Sequence, residues 1–346
     1  MWKPRGPMGR VTELHRGQEH PIAAWNSVRT DLAVEIHEDI SRTSPNIKGL
    51  TVDVDEQEQI KTTRMKITTQ AASSAMQKLK GTYVTLEVPE LRHKDPDLQE
   101  QVALCLAQEL KPYIHVPEQA VVLVVGLGNW NVTPDALGPL VVENLFVTRH
   151  LFHIMPEMLE EGFRSICAIA PGVLGITGIE TTEIVQGVVD RVKPDLVIAI
   201  DALAARSLDR VNTTIQLADS GIQPGAGVGN HRRALNKETL GVDVIAIGVP
   251  TVLDAATIAS DAMDILFTHL ENKVPGNDAS KILNQFDHDE KRQLISELLQ
   301  PIGNNLMVTP KEIDEFVEDI AHVVAMGLNL AMHPAMTIED AKALTH

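Results

Sequence analysis

Two cysteines, Cys105 and Cys167, are all that the 346-residue chain contains. They stand too far apart for a CxxC redox or zinc motif, and each falls in an apolar segment where a buried, inert thiol is the expected state. No apolar run approaches the roughly 18 to 20 residues of a transmembrane helix, and the N-terminal MWKPRGPMGR lacks the apolar stretch of a secretory signal. A soluble, cytoplasmic protein without a membrane partner is expected. Positive charge is short as well: 30 Lys and Arg face 47 Asp and Glu, for a formal net charge of -17. The clustered Lys and Arg that phosphate contacts need are missing, which argues against direct binding of nucleic acid. Familiar catalytic signatures are also absent. His37-Glu38 has Ser41 where the second His of HExxH would stand, and no GxSxG elbow supplies a serine nucleophile. His150 and His153 share a helical spacing, but one on a polar face and one near the core is the commoner outcome for such a pair than a metal site.

What is present is length and apolar pattern. With 44% hydrophobic residues the chain can bury a sizeable core. Residues 1 to 26 show no periodicity and read as loosely attached. Five basic residues against three acidic ones give residues 1 to 31 a net charge of +2, leaving -19 for the rest. LTVDVD, RMKIT and TYVTLEV read as strands, and Ala71 to Lys80 as a short helix closed by Gly81. Asp97 to Leu110 repeats Leu98, Val102, Leu106 and Leu110 on one helical face. Leu140 to Phe152 reads as one helix, Ile166 to Ala170 as a strand, and a further helix carries Ile184, Val185, Val188 and Val192. Strands at Thr213 to Ala218 and Val242 to Ile247 flank the Gly-rich Gly221 to Gly229 loop, with helix again over Thr251 to Leu270. Thr309-Pro310-Lys311-Glu312 has the form of a capping box ahead of a helix whose apolar face includes Ile313, Val317, Ile320 and Val324.

This alternation predicts an α/β fold, phosphorylase/hydrolase-like, with a mainly parallel central sheet flanked by helices, an N-terminal β-rich lobe and a C-terminal helical appendage. The expected division is a leader over 1-31, a β-rich lobe over 32-118, an α/β core over 119-270 and a helical part over 271-346.

The chain is organised around VVLVVGLGNWNVTPDALGP, residues 121 to 139. Its first five residues suit a strand buried on both faces, and the turn at Gly126, Gly128 and Asn129 follows at once. A dinucleotide site does not fit, because the third glycine of GxGxxG falls at Asn131 and the helix starts too late to receive a pyrophosphate. Ligands of open α/β sheets bind beyond the carboxyl ends of strands, which singles out Asp135 after one strand and Asp201 at the end of Leu196 to Ile200. Each alone is as well explained as a cap or a structural carboxylate. Together they form a pair that cannot both ionise cheaply, able to activate water with one carboxylate and polarise a carbonyl with the other. Amides near Gly126, Gly128 and Asn129, and near Gly175 and Gly178, are candidate donors to an oxyanion.

GLGNWNVTPDALGP, PGVLGITGIET, IAIDALAARS and DSGIQPGAGVGN, in this order, resemble the germination protease family, over a span from about Ser27 to the C-terminus. The resemblance implies an atypical aspartic endopeptidase of the spore core that degrades small acid-soluble spore proteins at germination. It places the catalytic aspartates at Asp135 and Asp201, with no cofactor and no metal. It also implies a homotetramer, and a precursor that sheds its leader by cutting after an acidic residue and before a large apolar one, which Asp31-Leu32 matches. A more distant likeness runs to nickel-dependent hydrogenase maturation endopeptidases, where the positions of Asp135 and Asp201 are associated with nickel, aided by a histidine for which His231 is the candidate here. From another class, the competing reading is an inert acidic binding protein.

Overall fold

A computed structural model describes residues 30-44, 46-155, 157, 161-223, 233-273 and 306-344. The aliphatic run at its centre forms β4 (Val121–Gly126), in which Val122 to Gly126 are all buried. Parallel neighbours flank it, β5 (Ser165–Ile169) on one side and β6 (Leu196–Ala205) on the other, and β6 in turn pairs in parallel with β8 (Asp243–Asp254). β-Branched residues recur through this part, as strands covered on both faces require. Beyond β8 the pairing becomes antiparallel through β7 (Thr214–Ala218), β3 (Gly81–Glu87), β2 (Ile60–Ile67) and β1 (Leu50–Gln57). With the short β9 (Met307–Val308) on β8, the described residues form one nine-stranded mixed sheet of order β1-β2-β3-β7-β8-β6-β4-β5. The α/β class holds. Parallel pairing is confined to the half around β4, and the β-rich N-terminal part continues the same sheet through β3 and β7.

Helices cover both faces. On one, α3 (Pro96–Leu110) buries the predicted Leu98, Val102, Leu106 and Leu110, beside α4 (Leu137–Glu143) and the long α10 (Ile313–Met332). On the other, α7 (Thr181–Val192) and the short α8 (Lys237–Leu240) bring Val185, Val189 and Leu240 into one cluster with Leu123, Val125 and Val197. A third cluster joins Leu32 and Val34, at the entry to α1 (Ala33–Thr43), to Met65, Met76, Tyr83 and Leu203, next to α2 (Gln70–Met76).

Several boundaries differ from the sequence expectation, most of them through a tertiary contact. The helix expected over Leu140 to Phe152 is broken into α4 and α5 (Arg149–Ile154). Between them Thr148 N donates to Ile166 O at 3.1 Å and Thr148 Oγ1 accepts from Ile166 N at 2.9 Å, which ties the chain to the start of β5. The first short helix ends at Met76, with Gln77 in the left-handed region, and Gly81 opens β3 instead of closing that helix. Asp201 does not end its strand: β6 runs on to Ala205 because β8 stays paired with it through Leu253, with a register shift between Leu203 and Ala204. For the same reason Thr251 to Asp254 belong to β8, and the following helix, α9 (Ala255–Lys273), starts only afterwards. No capping box forms at Thr309, whose Oγ1 donates to Thr251 O at 2.8 Å while α10 begins at Ile313 without a side-chain cap. The apolar face of α10 is spent within the subunit core, where Val323 to Met332 are all buried. Residues 1-29, most of the Gly221 to Gly229 loop, His231 and residues 274-305 lie outside the described residues.

Candidate active site

The parallel pairing of β4 with β6 decides where the site forms. Leu127 N donates to Ile200 O at 2.8 Å, extending the ladder one residue past β4 and setting the following turn beside Asp201. Gly128 then takes φ +118, and a Cβ there would stand 1.9 Å from Asp135 O, so only glycine admits this approach. Asn129 N donates to the same oxygen at 2.8 Å, and Asp135 N donates to Val132 O at 2.7 Å, closing the turn Thr133–Asp135. From β8, Thr251 Oγ1 donates to Pro134 O at 2.6 Å. The turn that carries Asp135 is thereby fixed by hydrogen bonds from Asn129 and from the Thr251 hydroxyl of β8. Asp201, in β6, is buried, and its Oδ1 accepts from Ala202 N at 3.0 Å.

Asp135 and Asp201 line one cavity of about 440 Å³, together with Gly128, Gly172, Thr181 and Thr251. Asp31 lines it too. The family resemblance assigns Asp31 to processing, and the pairing that sets it in this cavity is remote in sequence. Asp31 N donates to Ala204 O at 2.8 Å, and Ala204 N donates back to Asp31 Oδ2 at 2.9 Å. Leu32 is fully buried. Its N donates to Thr30 Oγ1 at 3.0 Å, and the Thr30 hydroxyl hydrogen-bonds Glu35. The Glu35 carboxylate is buried and accepts from Arg206 N at 2.7 Å and Ser207 N at 2.9 Å, anchoring α1 to the end of β6.

Two further side chains meet the Asp31 carbonyl oxygen: Lys78 Nζ at 2.8 Å and Gln216 Nε2 at 3.0 Å. Burial pushes the Lys78 ammonium below its ordinary pKa, and the Asp31 carboxylate opposes that shift. Neither residue carries a sequence signal; Lys78 reads as the tail of a helix and Gln216 as one polar residue in an apolar strand.

Of the glycine-rich donors expected from sequence, Gly128 reaches the cavity, with Gly172 and Val173 from the second loop. Gly126, Asn129, Gly175 and Gly178 are not among its lining residues. Gly126 allows close packing instead, since a Cβ there would lie 2.2 Å from Gly138 O of α4. Gly178 ends the short α6 (Leu174–Thr177) at φ +70. Among the described residues no group of three or more His, Cys, Asp or Glu side chains is placed to hold a metal ion.

A family model described as germination protease matches residues 28–286 and 279–345. Similar curated proteins include the germination protease of Bacillus cereus (strain G9842), 49% identical over 357 residues, covering 92% of this chain and 97% of that one. The germination protease of Bacillus mycoides (strain KBAB4) gives the same identity and coverage, and that of Bacillus anthracis (strain CDC 684 / NRRL 3495) is 48% identical over 359 residues. Among solved structures, a [NiFe] hydrogenase maturation protease, HycI from Thermococcus kodakarensis KOD1, is 19% identical, with a TM-score of 0.31, covering 64% of this chain and 98% of that one.

Proposed function

The chain belongs to the germination protease family, and from that membership we propose that it is an endopeptidase that degrades small acid-soluble spore proteins in the germinating spore core, made as a zymogen that cuts itself between Asp31 and Leu32. The observation that carries this reading is that Asp31, Asp135 and Asp201 line one cavity. A proteolytic centre whose own leader ends inside it is blocked until that leader departs.

In this mechanism Asp135 and Asp201 share a proton, because like charges in one site disfavour double ionisation. The ionised carboxylate takes a proton from water, and the protonated one donates to the scissile carbonyl. Loss of residues 1-31 removes the Asp31 carboxylate and frees Ala204 N, its donor at 2.9 Å. That amide is then open to the acidic residue of a substrate.

Incubating the processed protein with a small acid-soluble spore protein, and mapping fragments by mass spectrometry, tests the assignment. Discrete cuts after acidic and before large apolar residues are expected. An intact substrate after complete loss of the leader would overturn it.

A further inference from the structure

The bond between Asp31 and Leu32 is held by hydrogen bonds from two other segments of the chain. Its carbonyl oxygen receives Lys78 Nζ at 2.8 Å, from the bend after α2, and Gln216 Nε2 at 3.0 Å, from the middle of β7. Gln216 also reaches across the bond, its Oε1 accepting from Ala33 N at 2.7 Å. A single buried amide thus clamps the peptide from both sides, and the strand that carries it is locked between β3 and β8. Asp201 lines a second cavity, of about 230 Å³, with Asp31, Lys78 and Gln216. One catalytic aspartate therefore borders the same space as both donors. Two preorganised donors near 2.7 to 3.1 Å from the reacting oxygen are what a developing oxyanion needs.

We propose that Lys78 and Gln216 are the oxyanion donors of this protease, acting on Asp31 during processing and on the acidic residue of a substrate afterwards. The inference rests on the reading that the chain cuts itself at this bond. Water adds through its oxygen to the Asp31 carbonyl carbon and gives one proton to the aspartate pair. The C=O π electrons move to the oxygen facing Lys78 and Gln216. Collapse restores the carbonyl and breaks the C–N bond, and the Leu32 nitrogen takes the proton back from the pair. The products are a leader ending in the Asp31 carboxylate and a chain beginning with the Leu32 amine.

The test follows appearance of the Leu32 N-terminus by mass spectrometry in the full chain and in Lys78→Met, Lys78→Arg and Gln216→Glu, with circular dichroism as the folding control. Lys78→Met and Gln216→Glu are expected to slow processing about 100- to 1,000-fold, the loss typical of one oxyanion donor. Lys78→Arg keeps a charged donor and should stay within about tenfold of the parent. After incubation long enough to complete processing, the variants are assayed on an acidic-apolar peptide. A lowered kcat with little change in KM supports the assignment. Parent-like kcat in processed Lys78→Met and Gln216→Glu would overturn it, since residues that only pin the leader lose their role once it has gone. Should Lys78→Met not fold, kcat of processed Gln216→Glu decides by itself, lowered for the assignment and parent-like against it. If the unsubstituted chain is never cut at Asp31-Leu32, the underlying reading fails instead.

Discussion

Gly128 controls Asp135 through backbone geometry, because the position a Cβ would take lies 1.9 Å from Asp135 O at φ +118. Gly128→Ala should cost about 1 to 3 kcal/mol through left-handed strain, and it must also push the Asp135 turn aside. A lowered melting temperature with a drop in proteolytic rate is expected; a variant with parent-like stability and rate would show that the turn relaxes freely. The carboxylates themselves need a different substitution. Asn keeps the shape of Asp but cannot take a proton from water, so Asp135→Asn and Asp201→Asn should each lower cleavage at least about a hundredfold with the fold intact. Near-parent rates in both would reject the pair. Added chelator is expected to leave the rate unchanged. Loss of activity on chelation, restored by nickel or zinc, would reassign the same two carboxylates to metal ligation.

At the scale of elements, α10 is the piece whose anchoring can be tested by pH. Its C-terminal carbonyls, Ala331 O and Met332 O, accept from Arg164 Nη1 at 3.3 and 2.8 Å. His333, fully buried, accepts from Arg164 N at 3.2 Å through Nδ1 and packs on Phe146 and Phe163. That bond assigns the ring proton to Nε2, which faces Phe146 O at 3.4 Å. Burial, reinforced by the Arg164 charge, pushes His333 down from 6.5 to about 4, while the Phe146 carbonyl opposes the shift. Between those values the unfolded chain binds the proton more strongly, so this contribution is complete above about pH 6.5 and disappears as pH falls through about 4. The amount at stake is about 3 kcal/mol. Melting temperature followed from pH 7 to 4 should fall more steeply in the parent than in His333→Gln; equal slopes would remove the effect. The same elements show why the sequence is only partly legible. α3 is readable from Leu98, Val102, Leu106 and Leu110, and β4 from its aliphatic run, because each pattern is local. The break at Thr148, the extension of β6 past Asp201 and the late start of α10 depend on partners far along the chain. In the site, Asp135 is singled out by the turn after β4 and Asp201 by the aliphatic run before it, although β6 continues past Asp201, whereas Lys78 and Gln216 become meaningful only once β7 is set beside β8 and Asp31 beside Ala204.

For the whole molecule, we propose the homotetramer that the family resemblance implies, built on faces other than that of α10, which is buried within the subunit; light scattering at micromolar concentration is expected to return four times the chain mass, and a monomer would remove the proposal. Processing is the sharper test of how the molecule is assembled. The Asp31-Leu32 bond is held by Ala204, Lys78 and Gln216 of its own chain, and Asp31 lines the cavity that this chain's Asp135 and Asp201 also line. Reaching a second molecule's cavity would require breaking those hydrogen bonds and withdrawing the fully buried Leu32, whose burial alone contributes about 1.5 to 3 kcal/mol. A chain that already holds its own bond at its own carboxylates gains the large effective concentration of an intramolecular reaction. Self-cleavage should therefore be first order, with a rate constant unchanged over a hundredfold dilution. A full-length Asp201→Asn chain mixed with the parent should remain uncut while the parent is processed. A rate proportional to concentration, together with cutting of the Asp201→Asn chain at Asp31-Leu32, would place the reaction between molecules.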